Sequence, residues 1–263
     1  MLSIRIVDRL CASMRRNAAA ALVAAIAMAA SGAARAVDTN VAVAANFTEP
    51  AKEIARLFEG KTGHKAILSF GSTGQFYTQI TQAAPFQIFL SADQTTPKKL
   101  LADGLAVDGS LFTYAVGKLV LFSKDAHLVT DGQTLRAAKF NKIAIANPTL
   151  APYGAAAVET MKALGVYEEL SGKIVQGNNI NQTFQFVETG NAELGFIALS
   201  QVIERPGGSR WIVATNLYTP IRQDAVLLKT GSGNAAAQAF LAFLQGPEAT
   251  AVIEKFGYAT GKE

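Results

Sequence analysis

From position 41 to its end the chain alternates short apolar runs with amphipathic stretches, and this alternation confines it to layered α/β architectures. Runs at 41–45, 66–70, 87–91, 113–123, 142–147, 173–176, 193–198, 211–214 and 221–228 are bounded by small and turn-forming residues and read as strands. Between them the period changes. The stretch 47–59 places Phe47, Ala51, Ile54, Ala55 and Phe58 on one stripe, and 155–164 and 182–189 follow the same spacing. Two closing helices, 234–244 and 247–256, are separated by Gly246. Strands and helices alternating in this way predict mainly parallel sheets flanked by helices.

Two strand segments, 112–124 and 218–229, are longer than the rest and connect regions that otherwise look self-contained. A chain that crosses near Thr113 and returns near Ile221 builds a first lobe from two segments, with a second lobe inserted between them. The expected domains are residues 37–114 with 222–263 as lobe 1 and residues 115–221 as lobe 2. Each is a mainly parallel sheet flanked by helices, and two crossing strands join them.

Residues 1–36 read as an export signal and stand apart from the fold. Arg5, Arg9, Arg15 and Arg16 precede an apolar run at 18–30, which leads into Ala34-Arg35-Ala36, a small-x-small pattern for cleavage after Ala36. The run is shorter than the roughly 20 residues that span a bilayer. Cys11 lies ahead of it, so the mature chain is expected to hold no cysteine, and thus no disulfide or thiolate metal site. The charge balance also changes. Of 24 Lys+Arg and 20 Asp+Glu, five and one fall in this segment, leaving 19 of each. The basic pI of about 9.1 belongs to the precursor. A neutral mature chain offers no bulk attraction to nucleic acid or membrane, so any anion must be recognised locally.

Four times a strand runs into a loop of small or amide residues and then into a helix: Ala44-Ala45-Asn46, Gly71-Ser72-Thr73-Gly74, Ala151-Pro152-Tyr153-Gly154 and Asn178-Asn179-Ile180-Asn181. Such loops lie at the carboxyl ends of the strands, where α/β sheets bind ligands. A helix N-terminus presents unpaired N–H groups and about half a positive charge, so several together make an anion site without Lys or Arg. Taken singly, each loop also reads as ordinary capping. Asn46 with Glu49 approximates a capping box, and Ser72 or Thr73 can cap a helix starting near Gln75.

Enzyme motifs are thin. Ser72 follows Gly71 directly, which breaks the G-x-S-x-G nucleophile pattern. Gly60-Lys61-Thr62 resembles the end of a phosphate loop, but Ala55 stands where its first glycine belongs. The only histidines, His64 and His127, have no metal-binding spacing and read as surface residues. Asp93 ends a strand near the expected cleft. There it would accept a proton from a protonated anion and repel a fully ionised one, but it reads better as the cap of a helix starting near Thr96.

The segments AANFTEP (44–50), SFGSTGQFYTQI (69–80), FLSADQ (89–94), APYG (151–154), ELGFIAL (193–199) and FLQGPEA (243–249) resemble the periplasmic molybdate-binding components of ABC transporters, and the likeness covers the whole mature chain. It implies a type II periplasmic-binding fold. It also implies a periplasmic, non-enzymatic protein that binds molybdate or tungstate without a cofactor or directly coordinated metal and delivers it to a membrane permease. A monomer with no nucleic-acid partner is expected. By position, the implied anion contacts are the Ala45 and Asn46 backbone with the Asn46 amide, the Thr73 hydroxyl and N–H with Ser72 adjacent, and the N–H groups of Tyr153 and Ile180. Ala198 stands where some members place a tyrosine hydroxyl, and the Asn46 amide is expected to supply that missing donor. The alternatives are a receptor for sulfate, phosphate or another tetrahedral oxyanion, a non-catalytic interaction module, or a secreted hydrolase using Ser72, which lacks a paired histidine as base.

Overall fold

The structure, a computed structural model, describes residues 36–260. The expected export signal, residues 1–36, lies outside the described residues except for Ala36. In chain order, β1 (Asp38–Ala44), α1 (Thr48–Thr62), β2 (Lys65–Gly71), α2 (Thr73–Thr81), β3 (Ile88–Leu90) and α3 (Thr95–Ala102) lead to β4 (Phe112–Gly117). Then follow β5 (Leu119–Ser123), α4 (Gln133–Ala137), β6 (Ile143–Ala146), α5 (Pro152–Ala163), α6 (Tyr167–Leu170), β7 (Ile174–Gly177), α7 (Ile180–Glu188), β8 (Leu194–Ala198) and β9 (Ser209–Ile212). The chain closes with β10 (Ile221–Leu227), α8 (Ala235–Leu244) and α9 (Pro247–Lys255).

The strands form two five-stranded sheets, ordered β2-β1-β3-β10-β4 and β7-β6-β8-β5-β9. Val41, Ala42 and Val43 are all fully buried, because helices cover both faces of the first sheet and a continuous apolar run is then required. Alternate residues serve opposite faces. Val41, Val43, Ile88 and Leu90 pack with Ile54, Phe58 and Phe240 on one side, while Ala42 and Phe89 pack with Phe76 and Leu100 on the other. The second sheet repeats the device. Leu119, Leu121, Ile143 and Ile145 meet Tyr153, Ala157 and Met161 of α5, and Val120, Phe122 and Ala144 meet Val187 of α7.

In each sheet four of the five strands run in one direction, as the expected mainly parallel sheets require, and one strand is reversed. β1 pairs in parallel with β2 and β3, and β6 with β7 and β8, but β10 runs antiparallel to β3 and β4, and β5 antiparallel to β8 and β9. The cause is the crossing. β4 and β5 are one extended segment broken only at Lys118, with one half in each sheet, and the return passes through Val213 to Pro220 before β10. Each sheet thus receives a strand that enters from the other half of the molecule. Opposite β10 the ladder slips between Gln223 and Asp224: Gln223 pairs with Ala115 and Asp224 with Thr113, which leaves Tyr114 as the extra residue of a bulge.

Candidate anion site

The four loops fold as the carboxyl-end turns of β1, β2, β6 and β7. A 3₁₀ turn, Ala45–Phe47, follows β1. After β2, Ser72 closes a capping box on α2: its Oγ accepts from the Gln75 N–H at 3.4 Å, and Gln75 Oε1 accepts from the Ser72 N–H at 3.2 Å. Pro152 occupies the first position of α5, where its missing N–H needs no partner. Gly154 lets this helix approach the sheet, since a Cβ there would collide with the Ala146 carbonyl oxygen. Asn179 caps α7, its Oδ1 accepting from the N–H groups of Asn181 at 3.0 Å and Gln182 at 3.1 Å.

All four turns meet at one cavity. Ala45, Asn46, Ser72, Thr73, Tyr153 and Ile180, the six residues implied by position, line it together, with Ala44, Gly71, Ala92, Ala151, Pro152 and Asn179. Its volume of about 10 Å³ is far below the roughly 300–1,000 Å³ of sites for drug-sized ligands. No Lys, Arg, Asp, Glu or His lines it.

The Ala45 N–H continues the ladder of β1 onto the Gly71 carbonyl, whereas four backbone N–H groups of the lining, those of Asn46, Thr73, Tyr153 and Ile180, find no acceptor among the described residues. Each sits in the first turn of a 3₁₀ or α-helix, where the helix itself supplies none. The Thr73 hydroxyl accepts from the Ala92 N–H at 3.1 Å and lies 3.5 Å from Ser91 Oγ. Ser91 Oγ gives its own proton to Asp93 Oδ1 at 3.2 Å, so the Thr73 proton is available to Ser91 or to a ligand. Burial raises the Tyr153 and Tyr114 hydroxyls well above the usual tyrosine range and pushes Tyr258 up to about 12, so all three stay neutral beside the cavity.

The Asn46 side chain departs from expectation. Its Nδ2 points into the protein and donates to Gln223 Oε1 at 2.8 Å and to the Tyr258 hydroxyl at 3.1 Å, which engages both amide protons. Both amide protons are thus held by the protein in this arrangement, and Asn46 also brings its N–H to the cavity lining. Asn46 does not cap α1, which has no side-chain cap. Ala198 is buried at the end of β8, outside the cavity lining, and its N–H donates to Gln201 Oε1 at 3.0 Å. Gln201 in turn donates to Asn181 Oδ1 at 3.0 Å and the Ile180 carbonyl at 3.3 Å, which fixes the turn that aims the Ile180 N–H. Sequence reasoning missed Gln201, Gln223 and Tyr258. No local pattern marks them, because their partners lie far along the chain.

Asp93 acts as a cap. Its carboxylate accepts from the Thr96 N–H at 2.8 Å and the Thr96 hydroxyl at 3.0 Å, and it takes no part in lining the cavity. His64 Nδ1 accepts from the Val37 N–H, and exposed His127 donates its N–H to Asp125, so neither histidine reaches Ser72. Among the described residues no cluster of His, Cys, Asp and Glu could hold a metal ion.

The two halves touch around the cavity. The Gly74 N–H donates to the Leu150 carbonyl at 2.9 Å, Asn181 Nδ2 to Thr48 Oγ1 at 2.9 Å, and Ser200 Oγ to the Asn46 carbonyl at 2.9 Å.

Residues 39–259 match the family of bacterial extracellular solute-binding proteins. The chain is 58% identical to the molybdate-binding protein ModA of Rhodobacter capsulatus over 227 residues, covering 86% of this chain and 90% of the relative. It is 56% identical to the ModA of Azotobacter vinelandii over 230 residues, 86% and 91% of the two. Among solved structures, the periplasmic molybdate-binding protein of Azotobacter vinelandii superposes with a TM-score of 0.82 at 40% identity, covering 84% of this chain and 98% of that one. The sulfate-binding protein SubI of Mycobacterium tuberculosis shares the fold at a TM-score of 0.71 and 12% identity, covering 86% and 88%.

Proposed function

The chain belongs to the bacterial extracellular solute-binding proteins, and from that premise we propose that it binds molybdate in the periplasm for delivery to the membrane permease of an ABC transporter. The observation that carries this reading is the convergence of four N–H groups without a protein acceptor, one from each turn, on one small cavity that no charged side chain lines. Removing a dianion from water is costly, and an aimed shell of donors offsets that loss without a cation. Two turns come from each half, so closure completes the shell and opening dismantles it. All four donors come from one chain, so a single copy suffices. The reading includes removal of residues 1–36 on export, and binding of no other group is needed.

Selection among anions follows from protonation and size. Hydrogen phosphate carries a proton that wants an acceptor, and the carboxylate of Asp93, which follows the lining residue Ala92, is engaged on Thr96. Sulfate is smaller, and donors set for a larger tetrahedron would reach it with long, weak bonds. Tungstate has the shape and charge of molybdate and binds equally in this reading. Any such ion is larger than a single water, so the halves sit slightly further apart around it than at a cavity of about 10 Å³.

Calorimetric titration of the mature protein with molybdate, tungstate, sulfate and phosphate tests the reading. Heat from molybdate and tungstate, with sulfate failing to compete at tenfold excess, is the expected result; preferential binding of sulfate or phosphate would move the protein to the rival oxyanion class.

A further inference from the structure

Beneath the cavity lies a buried polar network that no anion contact requires, and Gln223 stands at its centre. This fully buried side chain sits at the slip in the β10 ladder. Its Oε1 accepts from Asn46 Nδ2 at 2.8 Å and from the Tyr114 hydroxyl at 3.1 Å. Tyr114 is the extra residue of the bulge, and the slip is what brings its hydroxyl round to Gln223 and to the Ser91 carbonyl at 2.9 Å. All these partners belong to the half built on the first sheet.

The other end of the same amide reaches across. Gln223 Nε2 donates to the Tyr153 hydroxyl at 3.3 Å, and Tyr153 is on α5, packed against the second sheet. The Tyr153 hydroxyl also meets that of Tyr258. Room for this crossing exists only because residue 117 is glycine: a Cβ there would overlap the Tyr153 hydroxyl and sit 2.7 Å from Gln223 Nε2. Gln223 thus joins, through one carboxamide, two residues whose N–H groups face the cavity from opposite sides, Asn46 and Tyr153.

We propose that Gln223 is a positioning residue that latches the closed form, coupling the first-half turn at Asn46 to the second-half turn at Tyr153 through the Tyr153 hydroxyl without touching the anion. The inference rests on the anion-binding reading above. On opening, the Tyr153 hydroxyl exchanges Gln223 for water, while the bonds to Asn46 and Tyr114 persist because they lie within one half. The latch therefore weights closed against open, and the anion leaves through the open form. Loss of the latch appears in the dissociation rate, since the donors the anion first meets are unchanged.

The test is a double-mutant cycle read by stopped-flow kinetics of molybdate binding, with wild type, Tyr153→Phe, Gln223→Met and the double variant. Tyr153→Phe keeps the N–H donor and ring volume and removes only the hydroxyl. Dissociation should quicken roughly 3- to 10-fold, the worth of one buried neutral hydrogen bond, with association unchanged. The double variant should dissociate more slowly than the product of the two single effects, because the Gln223–Tyr153 contact is broken by both changes while only the Tyr153–Tyr258 contact is peculiar to Tyr153→Phe. A role confined to folding stability would lower ligand-free melting but leave this kinetic non-additivity absent. An unchanged dissociation rate in Tyr153→Phe, or losses that simply add, overturns the latch while leaving molybdate binding in place. A wild-type protein that binds no molybdate overturns the underlying reading and the latch with it.

Discussion

Replacing Ile180 by proline deletes one of the four N–H groups with little disturbance to the backbone. Ile180 is the first residue of α7, the one helical position where proline is favoured, and it has no helical hydrogen bond to lose. Asn179 before it is extended, at φ −154° and ψ 174°, which suits a residue preceding proline. The side chain is buried at 3% exposure in the second-half core, so the shorter ring also removes packing. Ile180→Val is the control, since it loses similar volume, about 0.5–1.5 kcal/mol, and keeps the N–H. A hydrogen bond to a charged group contributes about 1.5–3 kcal/mol, so proline should bind molybdate roughly 10- to 150-fold more weakly than valine. That figure is a lower bound, because the ring Cδ takes the place of the proton that faces the cavity. Calorimetry on the two variants, with ligand-free melting measured alongside, gives the comparison. Equal affinities in Ile180→Pro and Ile180→Val would refute the claim that helix-terminal N–H groups hold the anion.

Other perturbations separate support from contact. Asn46→Ala keeps the N–H but strips partners from Gln223 and Tyr258, so ligand-free stability should fall by about 1–3 kcal/mol in urea unfolding and molybdate affinity should fall with it; stability unchanged would mean the amide network carries nothing. Gly154→Ala drives a Cβ into the Ala146 carbonyl, and a shift of α5 should cost about 1–3 kcal/mol and weaken binding through the displaced Tyr153 N–H, both visible in denaturation and calorimetry. The Asp93 carboxyl is raised, chiefly because burial disfavours its charge. A raised acid binds its proton more tightly folded than unfolded, so its contribution to stability is greatest in acid and is lost as pH rises through the folded pKa. Asp93→Asn should therefore gain on wild type in melting temperature between about pH 3 and pH 7; a gap that narrows over that window would contradict the assignment. Because the cavity is lined by no carboxylate, amine or imidazole, molybdate affinity should be flat from about pH 6 to pH 9, and a titration within that range measured by calorimetry would count against an uncharged shell.

The core and its elements were legible locally. Runs such as 41–45 and 142–147 are apolar on both faces, and the chain has no other stable use for them than covered strands. Ser72 and Asn179 announced their helices for the same local reason, since a cap and its target N–H lie two or three residues apart. Which strand of each sheet is reversed was not legible, because the direction of β5 and β10 depends on which half a crossing segment enters from. Two short helices, α4 and α6, escaped notice as well, being too short to show a period.

The site divides in the same way. That Ala45, Asn46, Ser72, Thr73, Tyr153 and Ile180 stand at strand-to-helix turns follows from the sequence, because backbone donors are set by secondary structure alone. What each side chain does there was decided only by the tertiary fold. Asn46 looked like a cap or an anion donor from its neighbours, yet its amide is taken by Gln223 and Tyr258, 177 and 212 positions away. A hydrogen bond is a contest among all groups within reach, and only the folded chain fixes who is within reach. The sequence thus specified a ring of N–H groups, and the packing of two halves around Gln223 determined which side chains serve the ring and which hold it closed.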